Sequence, residues 1–154
     1  MDYVIVKWVH IVSSTVLFGT GIGSAYYMFF VSRTRDARAI AVVVRHVVIA
    51  DWIFTAPTVV LQPLSGWYLA SRAGYPWTAS WLADSIGWYT FAIACWIPVV
   101  WMQMRMRDMA QRAVDRNEDL PTVYWRYLSW WVALGGWALV AFITIFFLMV
   151  SKPT

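Results

Sequence analysis

Asp51, His10 and His46 are the side chains whose type and position can do chemistry inside this largely apolar chain. Asp51 opens a polar series, Thr55, Thr58, Gln62 and Ser65, at spacings of four, three, four and three. On an α-helix that spacing places all five on one face. A carboxylate in the middle of a membrane-spanning helix is costly and by default marks a functional position. Asp51 is therefore the candidate proton relay. Its alternative is a structural role, held by a partner such as Arg45 or a Tyr. The other four line a site or a proton path, or serve as interhelical glue at about 0.6–2 kcal/mol per hydrogen bond.

His10 heads a face that continues through Ser13, Ser14, Leu17, Gly21, Ser24 and Met28. Small residues there let another backbone, or a flat ligand, come close. Imidazole is one of the few side chains able to ligate haem iron in a membrane. His10 is the candidate iron ligand, with Ser14, Gly21, Thr58 and Gln62 as candidate cofactor-binding residues. His46 lies near the other end of the second span, at a height differing by roughly 15–20 Å at 1.5 Å per residue. Both histidines on one iron is thus not expected, and His46 is a candidate for a separate site. Packing alone is the other account of the small residues, including the Gly19-x-x-x-Gly23 pair.

The elements that position these residues follow from composition. Of 154 residues, 61% are hydrophobic and 13% charged, about half the charge of a soluble domain. A soluble domain this small cannot hide so much apolar surface, so the excess faces a lipid bilayer. Charges divide the chain into four apolar runs, 8–32, 46–71, 85–104 and 127–151. Each reaches the roughly 20 residues that cross the hydrocarbon. Period-two alternation is missing, which argues against a β-barrel. The first run is too long for a signal peptide and no small-residue cleavage site follows it. The expected fold is all-α: one four-helix transmembrane bundle over residues 1–154, with spans at about 5–31, 42–70, 85–105 and 124–150.

Loops one and three carry Arg33, Arg35, Arg38, Arg45, Arg105, Arg107, Arg112, Arg116 and Arg126, against Lys7, Arg72 and Lys152 on the other side. The positive-inside rule places loops 32–41 and 106–123 in the cytoplasm and both termini outside. That is the pattern of a multi-pass protein of a bacterial-type inner membrane. The net charge of +4 is then a topological label, with no nucleic acid partner implied.

The remaining residue types have plainer expectations. Cys95 is the single cysteine, which excludes an internal disulfide framework, a Cys-rich zinc site, an iron–sulfur site and c-type haem attachment. Met102, Met104, Met106 and Met28 are expected as lipid-facing filler, and no one-face Met/His cluster supports copper. Trp8, Trp67, Trp77, Trp81 and Trp88 should form one interfacial belt and Trp101, Trp125, Trp130 and Trp131 the other. Trp52, Trp96 and Trp137 lie deeper, as core or against a flat ligand. Trp77 and Trp81, four apart, suggest a short interfacial helix. Pro57 and Pro63 should bend the second span, and a bend could open a pocket beside the polar stripe. The third helix should extend to about Arg116, with Pro121 in the first turn of the fourth.

The motifs Lys7-Trp8-Val9-His10, Ala50-Asp51-Trp52-Ile53-Phe54-Thr55-Ala56-Pro57 with Gly66, and Leu148-Met149-Val150-Ser151-Lys152-Pro153 resemble a family of small predicted integral membrane proteins of unknown function. The resemblance covers nearly the whole chain. More distantly, the chain is similar to HemJ-type protoporphyrinogen oxidases and CopD-like copper-resistance membrane proteins. Lys7, His10, Pro57 and Gly66 match the HemJ-type pattern, and that similarity implies haem b on His10. The family's basic residue shortly before the proline is replaced here by Asp51 and Trp52, and Arg45 lies about a turn too early.

Together these features predict a membrane haem b protein with a redox role, passing electrons among haem, quinone or porphyrin. The alternative is a cofactor-free accessory or assembly subunit, acting as a homodimer or in a larger membrane complex. Four spans without an internal repeat give little support to a transporter.

Overall fold

The computed structural model describes residues 1–152. The described chain is helical: α1 (Asp2–Arg33), α2 (Ala37–Ala50), a π-helical turn (Asp51–Thr55), α3 (Ala56–Arg72), α4 (Ser80–Arg116) and α5 (Thr122–Ser151). α2, the π-turn and α3 run on as one 36-residue helix, so four helices are long and apolar enough to cross a membrane. Helices suit these runs because no backbone group is left unpaired in the hydrocarbon.

Local chemistry sets the ends. Asp36 caps α2 by accepting the Arg38 N–H at 2.9 Å. Asn117 ends α4 in the left-handed conformation, φ 52°, which Asn tolerates better than most residues. Pro121 is the residue just before α5 rather than part of its first turn. The short helix expected around Trp77 and Trp81 does not form. Gly74 at φ +71° and Pro76 hold residues 73–79 in turns. Trp77 is exposed there, while Trp81 is buried in the first turn of α4, edge-on to Tyr75 at 5.1 Å. Lys152 closes this end with its ammonium 2.8 Å from the Tyr75 hydroxyl.

The second span changes partner at the π-turn. Before it, α2 packs mainly on α4 and also on α1; after it, α3 packs on α1. The cause is local. The Ala56 N–H reaches back five residues to Asp51 O, and the next residue, Pro57, has no N–H to give. A widened turn before a proline relieves the clash of its ring with the carbonyl four residues back. The second proline, Pro63, would have paired with Val59 O; the Tyr89 hydroxyl of α4 takes that carbonyl instead, at 2.5 Å.

Two tightly packed regions result. The larger, at the arginine-rich end, joins Met28, Ile40, Val44, Met102, Met106 and Tyr124. The smaller, at the opposite end, joins Ala70, Trp81 and Leu82. Met28, Met102 and Met106 are therefore core residues and not lipid-facing filler, because their flexible stems fill the gaps between helices. Trp52 and Trp137, expected as core or against a flat ligand, are 59% and 58% exposed. Trp131, expected in an interfacial belt, is buried.

Candidate functional site

A cavity of about 420 Å³ occupies the middle of the bundle, between the two packed regions. α1 gives it Leu17, Phe18 and Gly21; the π-turn and α3 give Asp51, Thr55 and Val59; α4 gives Ala92, Trp96 and Gln103; α5 gives Trp131, Gly136 and Phe142. Its size falls in the range of small-molecule sites. The π-turn before Pro57 thus stands beside a pocket, and the pocket touches the polar stripe at Asp51 and Thr55.

Asp51 anchors the polar part of this wall. It is 7% exposed. Thr55 donates to its Oδ1 at 2.8 Å, and Gln103 Nε2 donates to its Oδ2. Trp131 Nε1 donates to Gln103 Oε1 at 3.1 Å. An indole N–H only donates, so Trp131 fixes which end of the Gln103 amide faces Asp51. Neither Arg45 nor a Tyr holds Asp51, contrary to the partners considered from sequence. Among the described residues, the one salt bridge is Arg107–Asp108, so Asp51 has no counter-cation. Two donors leave lone-pair capacity on its oxygens for a ligand or a proton. Trp96 also lines this wall, and its Nε1 is buried with no hydrogen-bond partner. A buried orphan donor calls for an explanation such as a ligand acceptor.

His10 forms a separate cluster. Its Nδ1 lies 2.7 Å from Ser65 Oγ. Ser65 Oγ is also within reach of Leu61 O at 2.6 Å and Gln62 O at 3.2 Å; with its one proton on either carbonyl it accepts from His10 Nδ1–H. In that tautomer the Nε2 lone pair is free, the arrangement of a ligating imidazole oriented by its other nitrogen. Gln62 Nε2 donates to His10 O at 2.9 Å and to Ser13 Oγ at 2.5 Å. Gly66 matters here: a Cβ on it would stand 3.4 Å from the imidazole Cε1.

The other sequence candidates divide among these places. Gly21 lines the cavity. Ser14 donates to Ile11 O in its own helix at 2.7 Å. Thr58 donates to Phe54 O and Thr55 O, closing acceptors of the π-turn. His46 is exposed, donates Nδ1–H to Val42 O at 2.7 Å, and borders a shallow groove with Ser24, Tyr27 and Val43. Positions 46 and 65 are 19 residues apart on one helix, about 28 Å, so His46 is farther from His10 than the sequence estimate. Among the described residues no three His, Cys, Asp or Glu side chains gather as a metal site.

Sequence reasoning missed Gln103 and Trp131. Their signal was weak: Ala92, Trp96, Val99 and Gln103 share one face of α4, and that face ends on the amide.

The model of a family described as predicted integral membrane proteins (DUF2269) matches residues 4–153. No curated protein and no solved structure matches the chain.

Proposed function

We propose that this chain, which belongs to the DUF2269 family of predicted integral membrane proteins, binds a membrane-dissolved redox molecule of the quinone or porphyrin class. The observation that supports this is the central cavity ending on the Trp131–Gln103–Asp51–Thr55 chain of hydrogen bonds. Its walls are mostly apolar, and their few polar residues include a carboxyl without a counter-cation and a tryptophan whose indole N–H has no partner. That combination suits a flat apolar molecule with a carbonyl-type acceptor. Asp51 is the group that exchanges protons with it. Decylubiquinone quenching of tryptophan fluorescence tests the proposal in detergent. Saturable quenching is expected in the wild type, about tenfold weaker in Asp51→Asn, a loss near 1.4 kcal/mol. Quenching that never saturates would overturn it.

A second function is favoured by the His10–Ser65 contact: a b-type haem with His10 Nε2 as iron ligand and Ser65 orienting the ring. Bound there, haem would supply one-electron chemistry. His10 lies outside the cavity wall, so the haem would not share that cavity. A Soret band in the purified protein that disappears in His10→Ala is the expected result; its absence in the wild type removes this function. Colourless, non-quenched protein travelling with an oxidoreductase would favour the accessory-subunit alternative.

The distribution of basic residues supports an inner-membrane topology with the arginine-rich end in the cytoplasm and both termini outside. In a Cys95→Ala background, an impermeant maleimide applied to intact spheroplasts should label a cysteine at Ala73 and spare one at Asn117. The reverse pattern would invert the orientation.

A further inference from the structure

The contacts between α1 and α5 include two side-chain pairs. Near one end of the cavity Phe18 meets Phe146 edge-on, ring centroids 5.2 Å apart. Toward the arginine-rich end the Ser32 and Tyr124 hydroxyls are 2.9 Å apart. From Phe18 to Ser32 is 14 residues, about 21 Å of helix. Between these contacts Gly21 on α1 and Gly136 on α5 both lie on the cavity wall. A Cβ built on either meets nothing within 4 Å. Ile22, Val132 and Leu139 also line the cavity, yet are 43%, 39% and 37% exposed. The cavity wall therefore reaches the outer surface of the bundle along this seam, at a depth where the outer surface is lipid.

We infer that the cavity is filled sideways from the bilayer, through a slot between α1 and α5 clamped by Phe18–Phe146 and Ser32–Tyr124. The occupant is the quinone-class molecule of the proposed function, on which this inference rests. Its ring passes the glycines and stops at Asp51 and Trp96, while its apolar tail stays in the slot. Bulk at the glycines closes the slot without touching Asp51 or its partners.

The test separates the route from the ligand. Adamantyl diazirine, dissolved in the lipid of proteoliposomes, is photolysed and its adducts are mapped by mass spectrometry. Wild-type protein is expected to carry adducts on Asp51 and on Trp96. Gly21→Leu/Gly136→Leu should lower them about tenfold, a barrier about 1.4 kcal/mol higher, with lipid-facing Trp137 and Phe147 labelled as before. No adduct on Asp51 in the wild type, or equal adducts in the double variant, overturns the slot. If the double variant loses its Trp137 and Phe147 labelling, Phe146→Ala decides: release of the clamp should raise Asp51 labelling, and no rise overturns the slot. Slot-dependent labelling without saturable decylubiquinone quenching keeps the route and removes the ligand class. Saturable quenching with slot-independent labelling does the opposite.

Discussion

Asp51 is held by uncharged donors alone, so its surroundings are sensitive to the loss of any one of them. Gln103 is the middle member, giving to Asp51 and accepting from Trp131. Gln103→Leu strands Oδ2 of Asp51, whose Oδ1 keeps the Thr55 hydroxyl, together with the Trp131 indole N–H. It is expected to cost about 2–6 kcal/mol in unfolding measured in detergent, at ~1–3 per stranded group. Asp51→Leu/Gln103→Leu should be more stable than Gln103→Leu alone, because one stranded group is gone. A double-mutant cycle reads this coupling, and strict additivity would show that the two side chains do not depend on each other. The Asp51 half of this network is legible from sequence because it repeats on one helical face. Gln103 is not, since it sits between two methionines and its meaning comes from a residue 52 positions away. His10 shows a similar boundary: its type marks it as a ligand candidate, but its tautomer depends on Ser65 across 55 positions.

At the scale of elements, the second span decides the shape of the bundle. Its two prolines are solved differently. Pro57 follows a π-turn, which spreads the misfit over one wide turn. Pro63 leaves the Val59 carbonyl to Tyr89 of α4, a side-chain hydrogen bond between α3 and α4. Tyr89→Phe should then strand that carbonyl and cost about 1–3 kcal/mol of stability. Pro63→Ala restores an N–H to Val59 O, so Tyr89→Phe/Pro63→Ala should recover most of the loss in thermal unfolding. No recovery would mean that Tyr89 acts through packing alone. The prolines are plain in the sequence and announce a bend. The sequence does not say that α2 will pack on α4 and α3 on α1, because that exchange depends on how four helices share their faces. The end of α4 is more legible. Hydrophobicity locates the span, and the polar stretch through Arg105, Arg107 and Arg112 keeps good helix propensity, so the extension expected to about Arg116 matches the end of α4 at Arg116, where Asn117 stops it.

Across the whole molecule, packing is dense at both ends and open in the middle. Protein interiors rarely leave space of this size, and an apolar void with no ligand costs stability. Two alanines measure the contrast. Ala92 is 1% exposed and lines the cavity; Ala110 is fully buried in the packed region at the arginine-rich end. Ala110→Leu adds three carbons where there is no room and should cost about 1–3 kcal/mol through overpacking. Ala92→Leu adds the same atoms beside empty space and should stabilise by about 0.5–2 kcal/mol, as cavity-filling substitutions do. The opposite signs are the result to look for in thermal unfolding of the two variants. Ala92→Leu should also weaken decylubiquinone quenching, because the added side chain occupies ligand space. A stabilised variant that still binds would place the ligand elsewhere. A destabilised Ala92→Leu would mean that the middle of the bundle is packed as tightly as its ends, and the cavity would no longer account for Asp51.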